Sequence, residues 1–336
     1  MHQSSTHAPP ARIISLLPAA TEIVAALGLV DRLVGRSHEC DEPPHVTALP
    51  CLTAPRLDPT ASSRAIHEQV GRALTTPGNA RDAGAEPLYT LDTQTLSDLA
   101  PDLVLTQAAC DVCAVALADV EAAVDRADIE AARRPHVVAL APTNLDGVFA
   151  DILTVGAATG SMARAREVVA RLRARCDSVA CRNRHLARPA AGTAGGDGPR
   201  VAVIEWLDPP MAAGNWVPEL VALAGGTDVL GRRGAHSHWI SWDDVAAADP
   251  DVVVLIPCGF TLERVVAEAA SPSVRPHLAG LRAAREGRLW AVDGHHLFNR
   301  PGPRLVDSLE VLAEILHPGV FAFPATRRFA MRIAAM

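Results

Sequence analysis

The sequence predicts an α/β fold of two similar lobes with one long helix between them. A strand–helix–turn unit occurs twice, at 13–35 and at 201–231, and each copy ends with an Asp, a short apolar run and a Gly. A helix followed by an apolar strand also occurs twice, at 96–105 and at 244–255. Short β-branched runs alternate with Ala-rich amphipathic stretches throughout, which is typical of βαβ units and parallel sheets.

The composition narrows the class of protein. A chain of 336 residues, 49% apolar and 21% charged, is long enough for two folded lobes and is not that of a disordered protein. Its net charge of -7 argues against a nucleic-acid partner. All 31 basic residues are arginine, so a mechanism that uses a Schiff-base lysine is excluded.

Targeting signals and cysteine usage give an expected location. The segment 1–10 has neither a basic region nor an apolar core, so we expect no signal peptide and a cytoplasmic protein. A start codon further upstream would instead predict a periplasmic or cell-surface protein. No apolar run approaches the roughly 20 residues of a membrane span. In a cytosolic chain, seven cysteines favour free thiols or metal ligands over disulfides.

The first lobe is predicted to span residues 11–146. Short β-branched apolar runs predict strands near 12–17, 33–36, 102–106 and 136–140, and helical periodicity predicts helices near 20–27, 62–74, 93–99 and 112–125. Asp58, followed by Pro59, is predicted to cap the second of these helices. An insertion at about 50–86 has no counterpart in the second lobe, and insertions of this kind often carry function.

The rest of the chain is predicted to form a helix, a linker and a second lobe. An apolar stripe through 147–187 predicts a single backbone helix, and the Gly- and Ala-rich segment 188–199 predicts a flexible linker. The second lobe is predicted at 200–324, with a loosely held tail at 325–336. Its strands are expected near 200–205, 252–256 and 288–292, followed by a closing helix at 303–316.

Five motifs, taken in order and spacing, resemble a known family. They are RIISLLPAATE at 12–22, CDEPP at 40–44, LVLTQ at 103–107, DPPMAAG at 208–214 and FNRPGPR at 298–304. The pattern resembles the helical-backbone (class III) substrate-binding proteins of ABC importers, and it is most similar to their cobalamin-binding subgroup. The resemblance extends from about residue 12 to about residue 318.

The resemblance implies a fold and a function. It implies two Rossmann-like lobes with parallel sheets, joined by one long backbone helix, with a corrinoid bound in the cleft between the lobes. It also implies binding without catalysis, with cobalamin or a related corrinoid as the ligand. An ABC permease or a cobalamin-using enzyme would be the partner that receives it.

Ligand contacts are expected in the loops that follow the strands, where open α/β sheets bind their ligands. Flat aromatic side chains suit a macrocycle because they supply contact area at little entropic cost. The candidate ligand-binding residues are Pro18, Ala19, Thr21, Glu39, Gln107, Trp206, Met211, Asn215, Trp216, Trp239, Gly259 and His296.

A metal site is the second expectation. Cys110 and Cys113 form a C-x-x-C pair where a strand gives way to a helix, and a helix start favours the thiolate form that binds metals. Cys40 and Cys258 follow other predicted strands. His38 and His238 are included because a neutral imidazole is a good ligand for cobalt or iron. The candidate metal ligands are His38, Cys40, Cys110, Cys113, His238 and Cys258. For any single cysteine, packing behind the loops is the favoured explanation, and only for Cys110 and Cys113 together are packing and a functional role equally favoured.

Three functions follow from these features. The first is non-catalytic binding of cobalamin or a related corrinoid for uptake, salvage or delivery. The second is a cysteine-dependent redox or metal-handling protein, in which Cys110 and Cys113 act on a bound cobalt or iron complex. The third is the exported binding component of an importer for a ferric chelate or haem.

Overall fold

The computed structural model describes residues 9–75, 88–108, 114–127, 134–186 and 198–334. The chain divides into two compact units. The first comprises Met1–Pro59, Val70–Ala141 and Gly147–Ala170, and the second comprises Thr60–Gln69, Pro142–Asp146 and Arg171–Met336. The first eight residues of the predicted helix near 62–74, with the two residues before them, therefore belong to the second unit, although the sequence assigned them to the first lobe.

The first unit is built on a parallel sheet in the order β2-β1-β5-β6. Ile14 and Val104 pair in register across β1 and β5 and are fully buried, because both faces of such a sheet are covered. A separate antiparallel pair joins β3 to β4. The strands are β1 (Ile13–Ser15), β2 (Leu33–Arg36), β3 (Thr53–Pro55), β4 (Tyr89–Leu91), β5 (Leu103–Gln107) and β6 (His136–Leu140).

The first three helices match their predicted positions, but the fourth begins at Leu117 instead of near residue 112, and the predicted cap of the second is wrong. Helix α2 begins at Ser63, and Asp58 does not cap it because Pro59 and Thr60 form a turn instead. The helices are α1 (Pro18–Ala26), α2 (Ser63–Thr75), α3 (Thr93–Leu99), α4 (Leu117–Arg126), α5 (Leu145–Ala158) and α6 (Met162–Leu186).

The predicted single backbone helix is instead two helices, α5 and α6. Gly160 between them has a φ of +69°, a left-handed conformation that ends a helix and favours glycine. The Thr159 hydroxyl donates to the carbonyl of Val155 at 2.7 Å, which satisfies an acceptor at the end of α5. Apolar periodicity continues through both helices, so the sequence pattern alone concealed the break. The predicted linker lies almost wholly outside the described residues.

The second unit is built on a mixed sheet in the order β10-β8-β7-β11-β12-β13, with β9 beside β7. The central strands β7, β11 and β12 are parallel, as predicted, and β8, β10 and β13 are antiparallel additions. The strands are β7 (Arg200–Leu207), β8 (Pro210–Ala212), β9 (Thr227–Asp228), β10 (His238–Trp239), β11 (Val252–Leu255), β12 (Leu289–Val292) and β13 (Ala330–Arg332). The prediction of an α/β fold with parallel sheets is confirmed.

Helices cover the faces of this second sheet. They are α7 (Val217–Leu223), α8 (Trp242–Ala248), α9 (Leu262–Ala269), α10 (Arg275–Gly280), α11 (Arg282–Arg285), α12 (Leu305–Leu316) and α13 (Pro324–Phe329). Ile66 of α2 packs against the apolar core that these elements enclose. In the described part of the chain, no helix is both long and apolar enough to cross a membrane.

The expectation of a loosely held tail is wrong for residues 325–334. Helix α13 and strand β13 occupy most of this segment, and Ala330 pairs with Val292 of β12. Phe329 is buried, with its ring 5.4 Å from that of His296. The segment is held against the sheet because β13 satisfies the backbone groups along one side of β12 and because the Phe329 ring is buried.

Candidate functional site

The loops that follow β7, β11 and β12 meet at one edge of the second unit's sheet, because these three strands are parallel. We call this the carboxyl edge. The β7 loop carries Asp208, the β11 loop carries Cys258 and Gly259, and the β12 loop begins at Asp293. Several predicted ligand-binding residues lie on or near these loops.

Three of the predicted ligand-binding residues lie side by side across neighbouring strands. Trp206 of β7 is paired with Met211 of β8, and Met211 is paired in turn with Trp239 of β10. Residues directly opposite each other in paired strands project from the same face of the sheet. The structure therefore brings these three large apolar side chains into one continuous row, which we call the aromatic row.

The aromatic row runs from an anchored end to an open end. At the anchored end, the Trp206 ring packs edge-on against Phe260, with 5.3 Å between ring centroids. Met211 is half-buried, and Trp239 at the open end is 52% exposed. An exposed tryptophan next to further apolar surface is unusual on a soluble protein and is typical of a ligand contact.

The start of α2 is fastened to this edge. Trp206 Nε1–H donates to the carbonyl of Ser63 at 3.2 Å. The N–H of Ser63 donates to Glu268 Oε1 at 2.9 Å, and its hydroxyl donates to the same oxygen. Arg64 forms a bidentate pair with the buried Asp208, at 3.0 and 2.7 Å. The carboxylates of Glu268 and Asp208 therefore hold the first turn of α2 beside the aromatic row.

A second arginine completes this attachment. The Arg264 guanidinium lies 3.5 Å from the centroid of the Phe260 ring and donates to the carbonyl of Ala61 at 2.6 Å. One turn into α2, the His67 ring stands edge-on to Trp239, with 4.7 Å between centroids and 78° between planes. The segment Thr60–Gln69 thus forms a wall beside the exposed tryptophan.

The loop after β12 is organised around one buried carboxylate. Asp293 Oδ1 accepts the N–H groups of His295 and His296 at 3.0 and 2.7 Å, and its Oδ2 lies 3.0 Å from His296 Nδ1. Burial alone would raise the pKa of Asp293, but the hydrogen bonds that it accepts from His296 lower it overall. The ionised carboxylate therefore fixes the proton of His296 on Nδ1.

The same loop is held to its neighbours by further contacts. Arg300 donates to His295 Nε2 at 2.8 Å, and since arginine stays protonated, that nitrogen acts as the acceptor. The Asn299 amide donates to the carbonyls of Ile256 and Gly294, both at 3.0 Å. A Cβ at Gly294 would collide with backbone oxygens of the β11 loop, so this close approach requires glycine.

Trp216 and Asn215 have structural positions in this framework. Trp216 is buried, and its Nε1–H donates to the carbonyl of Phe298 at 2.7 Å. Asn215 adopts a φ of +52° at the turn before α7 and is half-buried. The structure therefore places Trp216 behind the β12 loop, where it supports that loop instead of presenting its ring to a ligand.

In the first unit, the predicted residues near α1 lie largely inside the protein. Ala19 and Thr21 are buried, and Pro18 is half-buried. The Thr21 hydroxyl donates to Ser15 Oγ at 2.8 Å, which ties α1 to the end of β1. Gln107, at the end of β5, is also buried. These side chains organise the strand ends of the first unit.

Cys40 and His38 both follow β2 but engage different partners. Cys40 is buried, and its Sγ lies 2.9 Å from Thr21 Oγ1. His38 Nδ1 lies 2.7 Å from Thr53 Oγ1, and burial, with the charge of Arg36, lowers the pKa of His38. The Cys40 thiol thus packs inside the first unit. Glu39 between them is half-buried.

The remaining candidate metal ligands are not assembled into a site by the described residues. Cys258 is half-buried in the β11 loop beside Gly259, which is exposed with a φ of +76°. Burial, more than the charge of Arg232, lowers the pKa of His238. Within either unit's described ranges, neither His238 nor Cys258 joins two further ligands. Cys110 and Cys113 lie outside the described residues.

Sequence reasoning missed the wall formed by the start of α2. Ser63 and Glu268 are separated by 205 residues, and Arg64 and Asp208 by 144. No local pattern connects positions so far apart. The only available signal was the status of 50–86 as an insertion, which indicated a functional segment without indicating what it contacts.

Comparisons with known proteins identify the family to which this architecture belongs. The model of a family described as "Periplasmic binding protein" matches residues 13–294. A "Cobalamin-binding protein" of Halobacterium salinarum is 28% identical over 183 residues, which are 53% of this chain and 46% of that protein. The chain thus spans slightly less than half the length of this relative.

Two solved structures share the fold over nearly the whole chain. A periplasmic haem-binding protein from Pseudomonas aeruginosa has a TM-score of 0.67 at 20% identity, covering 94% of this chain and 96% of its own. The periplasmic vitamin B12 binding protein of Vibrio cholerae has a TM-score of 0.59 at 20% identity, covering 92% and 97%. The predicted resemblance to helical-backbone substrate-binding proteins is thereby confirmed. The chain belongs to the periplasmic binding protein family, whose members bind small molecules and are not enzymes.

Proposed function

We propose that this protein binds cobalamin or a related corrinoid without transforming it, with the macrocycle stacked on the aromatic row. The observation that carries the proposal is the register of Trp206, Met211 and Trp239, which lines up three large apolar side chains with an exposed indole at one end. A flat macrocycle requires a broad apolar surface of this kind, and polar groups from nearby loops fix its orientation.

The charges around the row favour a corrinoid. Arg64 is engaged with Asp208, and Arg264 is engaged with the Phe260 ring and the Ala61 carbonyl. A corrin ring carries mainly neutral amide side chains, whereas haem carries two carboxylates that require cations of their own. Because Arg64 and Arg264 are already paired within the protein, the surroundings of the row suit the neutral periphery of a corrin ring better than the carboxylates of haem.

The relatives support the same ligand class. The Halobacterium protein bears the name of a cobalamin-binding protein, and the Vibrio structure is that of a vitamin B12 binding protein. The Pseudomonas structure is that of a haem-binding protein. Haem, a flat macrocycle of similar size, is therefore the competing ligand. An ABC permease or a cobalamin-using enzyme is the proposed recipient of the bound corrinoid.

Calorimetric titration of the purified protein with hydroxocobalamin, with haemin and with ferrichrome tests the proposal. We expect a dissociation constant in the micromolar range or tighter for hydroxocobalamin, and binding at least tenfold weaker for the other two. If haemin binds more tightly than hydroxocobalamin, haem is the ligand instead. The absence of heat with hydroxocobalamin would overturn the corrinoid assignment.

A further inference from the structure

His67 occupies a position that the proposed function does not explain. Its ring stands edge-on to Trp239 at the open end of the aromatic row, with 4.7 Å between centroids. His67 is half-buried, and it lies on α2 and on none of the strand-end loops. Its imidazole is therefore beside the surface on which the macrocycle is proposed to stack.

The position of His67 is fixed by contacts one turn earlier in α2. Ser63 is bound to Glu268, and Arg64 is bound to Asp208, so the first turn of the helix is held on both sides. Ile66, the preceding residue, packs against the core of the second unit. Residues four apart on a helix lie on the same face, so the contact of Ser63 with Trp206 and that of His67 with Trp239 follow one line along the row.

The ring nitrogens of His67 are available for chemistry. Among the described residues, the contact of its ring with Trp239 is the interaction that the structure assigns to this side chain, and neither nitrogen takes part in a hydrogen bond. A neutral imidazole nitrogen is a good ligand for cobalt and for iron. A half-buried imidazole with this contact alone, beside an exposed tryptophan, is suited to reach a metal at the centre of a stacked ring.

We propose that His67 is an axial ligand to the metal of the bound chelate. The inference rests on the proposed function, because it requires the macrocycle to lie on the aromatic row. In the binding step, a bond forms between an imidazole nitrogen and cobalt, and the bond between cobalt and its exchangeable water breaks. The water leaves, cobalt keeps its oxidation state, and no electron is transferred.

Visible absorbance of hydroxocobalamin during a titration tests this assignment, with affinity measured in parallel by calorimetry. We expect wild-type protein to shift the corrin bands as it binds and His67→Ala to bind with no shift. His277→Ala is the matched control, because the ring of His277 also packs on a tryptophan, 5.8 Å from that of Trp242, but His277 lies on α10 and its partner is not a member of the row. This control is expected to keep the shift.

The outcomes separate the inference from the function on which it rests. Wild-type binding without a band shift, or a shift that survives in His67→Ala, overturns the ligand role and leaves corrinoid binding intact. Loss of the shift in His277→Ala as well would remove the assignment to His67. If calorimetry shows that wild-type protein does not bind hydroxocobalamin, the proposed function fails and this inference falls with it.

Discussion

Replacing Trp239 by alanine is expected to weaken corrinoid binding by about tenfold. A tryptophan side chain buries ~200 Å² when fully covered, and Trp239 is 52% exposed, so about 100 Å² is available to a ligand. A stacked ring covers one face, or about 50 Å², which at about 25 cal/mol per Å² is worth about 1.3 kcal/mol. That free energy corresponds to about a tenfold change in dissociation constant.

The assay is calorimetric titration of each variant with hydroxocobalamin. Met331→Ala is the matched control, since Met331 is 49% exposed on β13 of the same sheet and lies outside the aromatic row. Trp239→Phe keeps an aromatic face and is expected to lose less than Trp239→Ala. Equal affinity in wild type and Trp239→Ala, or an equal loss in Met331→Ala, would refute the reasoning that the row is the ligand surface.

Three further predictions concern the framework of the protein. Arg175→Gln removes a guanidinium bound to Asp307 and Glu310. Urea denaturation is expected to show that the free energy of unfolding falls by about 1–3 kcal/mol, and an unchanged midpoint would contradict this. Burial raises the pKa of Asp151 to about 7, so the folded state favours its protonated form and stability falls as pH rises from about 4 to 7. Asp151→Asn should therefore raise the melting temperature at pH 8 and have little effect at pH 3.5, and a gain confined to pH 3.5 would contradict the sign. Gly294→Ala would push the β12 loop off the β11 loop, which should lower stability by about 1–3 kcal/mol and weaken corrinoid binding, and a wild-type melting curve would show that the loops can separate freely.

Periodicity predicted the parallel framework because its signal is local. Strands such as β7 and β11 are rich in buried β-branched residues, and the helices between them show a regular apolar stripe. The break between α5 and α6 escaped prediction because the stripe continues on both sides of Gly160. A single glycine is not decisive within such a pattern.

The candidate site was predictable as separate residues and not as an arrangement. Trp206, Met211 and Trp239 were each chosen as aromatic or apolar loop residues, but β8 and β10 have only three and two residues, too few for a pattern to reveal their register. Trp216 was chosen on the same grounds and proved to be buried. Burial depends on contacts between distant segments, which composition and spacing do not encode.

A crystal structure of the protein with hydroxocobalamin bound is the most direct test of the central claim. The account predicts a macrocycle stacked on Trp239, in contact with Met211, and bordered by the segment Thr60–Gln69. A corrin ring located elsewhere would contradict it, for example in the cavity of about 650 Å³ in the second unit that Asn183, Glu219 and His317 help to line.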